Sequence, residues 1–98
     1  MQPKRYYSVK ALRLYTNSIG LTFAQAAVYS ELLRHSIGIA QNRTTGVFYN
    51  FVHGDNVDVT KRLHTRTGKG LCDAGIFDQR DVNNYTIYTL KPGARPQG

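Results

Sequence analysis

Thr60-Lys61-Arg62-Leu63-His64-Thr65-Arg66-Thr67-Gly68-Lys69-Gly70 carries four cations and no acid, and Asp55, Asp58, Asp73, Asp78 and Asp81 flank it. A surface helix ordinarily mixes both charge signs, so a run of one sign points to a polyanionic partner. Asn56 or Asp58 can cap a helix from about Val59 to Ala74. Val59, Leu63, Thr67 and Leu71 then fall on one stripe at i, i+4, i+8 and i+12. Lys61, Arg62, Thr65, Arg66 and Lys69 cover the remaining surface. Gly68 and Gly70 oppose this reading, since each costs about 1 kcal/mol in a helix interior. Two short helical pieces, or a helix ending at Thr67 with a glycine loop, would satisfy the same residues.

Downstream, Gly75 is placed to end the helix. Ile76-Phe77 to Val82 and Tyr85 to Leu90 then read as a β-hairpin across Asn83-Asn84, residues that tolerate the positive φ of a tight I′ turn. Upstream, Ser8 can cap a short helix from Val9 to about Asn17, with an alternating strand as the rival, and Gly20 ends either one. Leu21-Thr22-Phe23-Ala24-Gln25 forms a capping box, with Thr22 at the cap and Gln25 three residues on. Its helix runs to about His35, where Arg34 and His35 suit the C-terminal dipole. Val47 to His53 is rich in β-branched and aromatic residues, which favours a strand. A short helix capped by Thr45 and stopped by Gly54 is the alternative, and Gly54-Asp55-Asn56 is a turn signal.

The chain has 98 residues, enough for one domain with one modest core. Residues 1–7 read as a basic arm, 8–91 as the domain and 92–98 as a flexible tail. No apolar run approaches the length that spans a membrane, and no signal-peptide core follows the basic start. The single cysteine, Cys72, excludes an intrachain disulfide and fits the cytoplasm. Thirteen Lys and Arg against six Asp and Glu leave a net charge of +7, a strong bias toward polyanions for so small a domain.

Short matches point to a family. Leu21-Thr22-Phe23-Ala24-Gln25, followed by Val28 and Leu32, resembles the Leu-Thr-x-x-Gln opening of a core helix in MarR-type winged-helix regulators. Leu71-Cys72-Asp73-Ala74-Gly75-Ile76 is similar to the end of their recognition helix. Asp78-Gln79-Arg80-Asp81 with Tyr85 to Leu90 is similar to their wing. The resemblance implies an α+β winged helix, a three-helix core with a C-terminal β-hairpin wing. The family's long terminal helices have no counterpart here, so its ligand pocket and dimer mode are not carried over.

The expected function is double-stranded DNA binding by a small transcriptional regulator of phage or mobile-element type, with a homodimer as the expected assembly. A recognition helix in the major groove would present Lys61, Arg62, His64, Thr65, Arg66 and Lys69, with Arg80 on the wing and Arg43 on a loop. A solvated helix face is the plain alternative for the first six, and a turn ion pair for Arg80. A second reading is a protein-interaction module or inhibitor of a nucleic-acid-processing partner. A third is a single-stranded DNA or RNA binder, drawn from Tyr6, Tyr7, Tyr49, Tyr85 and Tyr88 among the cations, with strand packing as their alternative. Enzymatic readings fail. Thr67-Gly68-Lys69-Gly70 lacks the first glycine and the final Ser/Thr of a phosphate loop. Cys72 with His35, His53 and His64 lacks metal-ligand spacing, so neither cofactor nor metal is expected.

Overall fold

The computed structural model describes residues 7–35, 38–51 and 57–96. Helix α1 (Val9–Ser18) starts at Ser8, whose side chain accepts a hydrogen bond from the Ala11 amide at 3.1 Å. Helix α2 (Phe23–His35) opens on the capping box: the Thr22 amide donates to Gln25 Oε1 at 2.9 Å, and the Gln25 amide to Thr22 Oγ1 at 3.3 Å. Gly20 between the helices takes a φ of 77°, which favours glycine.

Strands β1 (Gly38–Asn42), β2 (Phe48–Phe51) and β3 (Val59–Leu63) follow as a meander. Helix α3 (Thr65–Asp73) then leads to the hairpin β4 (Phe77–Val82) and β5 (Tyr85–Leu90). The five strands form one sheet in the order β3-β2-β1-β5-β4, antiparallel throughout. The helices share one face of it. Tyr29, Leu32 and Leu71 from α2 and α3 pack there with Ile39, Phe48, Leu63, Phe77 and Tyr88 from the strands, and Leu12, Tyr15 and Ile19 close the layer from the α1 side. On the opposite face a smaller cluster joins Ala40, Phe51 and Ile87, flanked by Val57, Val82 and Tyr85.

This sheet replaces the expected winged helix. The C-terminal hairpin is present, but β5 pairs along its length with β1, so the hairpin belongs to a five-stranded sheet and is not a free wing. The helix expected over 59–74 divides into β3 and α3. A bulge explains the misleading pattern: Phe51 pairs with Val59 while Asn50 pairs with Lys61, leaving Thr60 as the extra residue. Leu63 therefore faces the helices and Val59 the other side, although their spacing reads as one helical stripe. Within the stretch 47–53, Phe48–Phe51 is strand, and Val52 and His53 lie outside the described residues. The turn at Asn83-Asn84 departs from type I′, since Asn83 takes a φ of 55° and Asn84 does not share it.

The two glycines of α3 have a packing reason. A Cβ on Gly68 would lie 2.7 Å from Phe48 Cβ, and one on Gly70 would collide with the Gln25 carboxamide. Tertiary contact overrides helix propensity at both. Gln25, besides its capping role, donates from Nε2 to the Arg66 carbonyl at 3.3 Å and so ties α2 to α3. At the C-terminal end, Ala94 is buried and its carbonyl accepts from the Tyr29 hydroxyl at 2.8 Å, so this part of the expected flexible tail is held against α2. The basic arm, apart from Tyr7, and the Gly54-Asp55-Asn56 turn lie outside the described residues.

Cys72 is half-buried on α3, and burial pushes its thiol up to about 11 against the pull of a Tyr88 hydrogen bond. The folded state holds this proton more tightly than the unfolded chain. The corresponding stability is complete below the ordinary thiol value and is lost as pH rises toward about 11. Near pH 8.5, the ordinary thiol value, iodoacetamide should alkylate the folded protein on the order of a hundredfold more slowly than the urea-unfolded chain. Equal rates, read by mass spectrometry, would contradict the burial of this thiol.

Candidate nucleic-acid interface

Of the eight cationic and polar residues expected to meet DNA, six cluster at β3 and α3, Arg80 lies on the opposite edge strand, and Arg43 sits in the turn after the central strand β1. Lys61 and Arg62 lie on β3, one edge strand, and His64, Thr65, Arg66 and Lys69 follow at the start of α3. All six are exposed. His64 caps α3, its Nδ1 accepting from the Arg66 amide at 3.3 Å. The buried side of α3 is Thr67, Gly68 and Leu71, so Arg66 and Lys69 lie outside on a helix of nine residues. Arg80 lies on β4, the other edge strand.

Arg43 has a different task. Its Nη2 donates to the Asn83 carbonyl, its amide donates to the Asn84 carbonyl at 2.9 Å, and Nη1 stands 3.4 Å from Asp81 Oδ2. Beside it Asn42 Oδ1 accepts from the Thr44 and Thr45 amides and from Asn84 Nδ2 at 3.1 Å. The β1–β2 and β4–β5 turns are thus laced together, and Arg43 is spent on that lacing. Both members of its ion pair are substantially exposed, so the pair itself contributes about 0–1 kcal/mol. Arg43→Ala is expected to lower stability by roughly 1 kcal/mol through the lost turn contacts. It should leave oligonucleotide affinity within twofold of wild type, a loss like that of Arg62→Ala arguing instead for a direct contact.

The strand register assembles a row that the linear sequence hides. Arg62 pairs with Tyr49, Tyr49 with Ala40, Ala40 with Ile87, and Ile87 with Arg80. Every member points to the face away from the helices, the face of the Ala40, Phe51 and Ile87 cluster. One cross-strand row therefore starts and ends on an exposed arginine, with four interstrand gaps of about 4.8 Å, or roughly 19 Å, between the edges. Tyr85 stands in the next row, paired with Asn42 and Val82. Its ring meets Tyr49 edge to face with centroids 6.4 Å apart, across the strand that carries Ala40. Both tyrosines are half-buried, and the fully buried Phe51, Ala40 and Ile87 form the floor beneath. Such an arrangement offers cations to a polyanion at both margins and aromatic surface between them.

The other tyrosines separate from this set. Tyr88 faces the helices, stacked edge-on to Phe77 and donating to Gln41 Oε1 at 3.4 Å, and burial raises its phenol above the usual range. Tyr7 precedes α1 on the helical side, lining a cavity with Leu12, and Tyr6 is outside the described residues. The expected duplex contact set thus omitted Tyr49 and Tyr85, which the sequence offered only as stacking candidates in the single-strand reading. Their signal was strand parity, because 49 and 51, or 85 and 87, share a face that the pairing turns away from the helices.

Among the described residues no three His, Cys, Asp or Glu side chains come together as metal ligands, and no helix is long and apolar enough to cross a membrane. Neither protein-family profiles, characterised proteins nor solved structures yield a match to this chain.

Proposed function

We propose that this chain is a binding protein for single-stranded nucleic acid, taken across the face of the sheet opposite α1, α2 and α3. The observation that carries the reading is the row Arg62–Tyr49–Ala40–Ile87–Arg80, with Tyr85 against Tyr49. Bases would stack on Tyr49 and Tyr85, while Arg62 and Arg80 meet phosphates on either side. Lys61, Arg66 and Lys69 continue the positive surface around the β3 edge and would draw a strand toward the face. The net charge of +7 supports a polyanionic ligand.

The shape of the sheet favours a single strand over a duplex. Stacking requires unpaired bases whose flat faces are accessible, and a duplex hides them. Duplex DNA would instead have to be read by α3, a short helix with two outward cations. Fluorescence anisotropy with oligo(dT), oligo(U) and a mixed-sequence duplex, each at several salt concentrations, tests the proposal. The single strands should bind more tightly than the duplex at every salt concentration, with affinity falling as salt rises. Tighter binding of the duplex would return the reading to α3, and no binding of any of the three at low salt would end it.

A further inference from the structure

The helical side carries a second surface. Phe23, the first residue of α2, is 90% exposed, and Val9, the first residue of α1, is 67% exposed. The capping box needs only Thr22 and Gln25, so nothing in the local fold calls for an aromatic ring at Phe23. Both residues line one cavity of about 550 Å³ between α1 and α2, together with Leu12, Leu21 and Ala26. A second cavity of about 350 Å³ continues from it, sharing Leu12, Ala27 and Ser30 and ending at Glu31 and Arg34. The result is an apolar groove along α2 from Phe23 to Arg34, roughly 16 Å at the helical rise.

Charge selects the occupant. The two helices carry Lys10, Arg13 and Arg34 against Glu31 as their one acid. Glu31 already stands 4.0 Å from Arg34. Arg13 is in the wall near Phe23, and Arg34 closes the far end. An apolar floor with Arg13 at one end, the Arg34–Glu31 pair at the other and an excess of cations on the two helices complements an amphipathic helix whose flanks are acidic. A second copy of this chain would bring the same excess of cations to the same place and be repelled.

We infer that the α1–α2 groove docks an acidic amphipathic helix of a partner protein. Phe23 and Val9 receive its apolar stripe, and Arg13 and Arg34 meet its carboxylates. This surface lies on the helical side, away from Tyr49 and Tyr85, and its test does not depend on nucleic-acid binding.

The probe is a synthetic helical peptide with Leu at i, i+4 and i+7 and Glu at its flanks, titrated into the isotope-labelled full chain and followed by amide chemical shifts. A twin peptide carries Lys for Glu. The acidic peptide should shift Val9, Leu12, Phe23 and Ala27, and Phe23→Ser should weaken it about tenfold or more. Arg13→Glu with Arg34→Glu should abolish the preference for the acidic peptide. Equal binding of the two peptides by the wild-type chain, or shifts centred on Tyr49 and Tyr85, would overturn the inference. So would self-association of the chain that Phe23→Ser removes, or nuclear Overhauser contacts in the free protein between Phe23 and another part of the chain that fills the groove.

Discussion

Gly38→Ala is expected to destabilise the protein by about 3 kcal/mol or more, the upper end of the overpacking range. Gly38 opens β1, the central strand, and pairs with Phe51 on one side and Thr89 on the other. A Cβ there would fall inside van der Waals contact of the Tyr88 carbonyl oxygen and 2.6 Å from Phe51 Cε1. A ring can turn aside, but a carbonyl in a paired strand cannot do so without breaking the ladder. Both neighbours are themselves buried, Phe51 at 2% exposure, so the strain has nowhere to dissipate. For a domain of this size the loss is a large share of its total stability. Urea unfolding should show a lower midpoint with an unchanged slope. A change within about 0.5 kcal/mol would mean that Phe51 does not lie over Gly38 as described.

The second large effect concerns binding. Tyr49→Ala combined with Tyr85→Ala should weaken oligo(dT) or oligo(U) at least tenfold, since each lost stacking platform is worth about 1–3 kcal/mol. The two rings touch, so the double variant need not equal the sum of the singles, and a cycle of all four proteins measures their coupling. Tyr49→Phe and Tyr85→Phe keep the rings and should bind nearly as wild type. That contrast separates stacking from loss of fold, which urea unfolding checks independently. Arg62→Ala and Arg80→Ala should each reduce the salt slope by roughly 0.7 if each meets one phosphate. Wild-type affinity in the double tyrosine variant would remove the sheet face from the binding mechanism.

Local chemistry was legible in the sequence where it closed within a few residues. Ser8, the Thr22–Gln25 box and the 77–90 hairpin all declare themselves through short-range signals, and the structure contains each of them. What stayed hidden was set by distant partners. The pairing of β5 with β1 joins residues such as Tyr88 and Ile39, and no local pattern encodes it. It converts an expected wing into a sheet. The β3–α3 boundary was obscured from two directions. A bulge gave a strand the spacing of a helix, and packing on Phe48 and Gln25 placed glycines inside a helix. The candidate site shared that fate. Its cations were visible as a run, but the alignment of Arg62, Tyr49 and Arg80 exists only after the two strands on each side of β1 have found their register.

The edge position of β3 and β4 has a consequence for the protein's solubility. An exposed strand margin can recruit another chain, and natural sheets discourage this with charge. Here one margin presents Lys61 and Arg62, and the other Asp78, Arg80 and Asp81. The first is a single-sign margin that repels its own copies; the second mixes signs. A polyanion bound along β3 would neutralise the repulsive margin, so the positive run proposed to attract a ligand would also keep the unliganded sheet from growing sideways. Saturating the protein with short oligonucleotides should therefore make lateral association easier, and neutralising Lys61 and Arg62 by mutation should reproduce that tendency without any ligand.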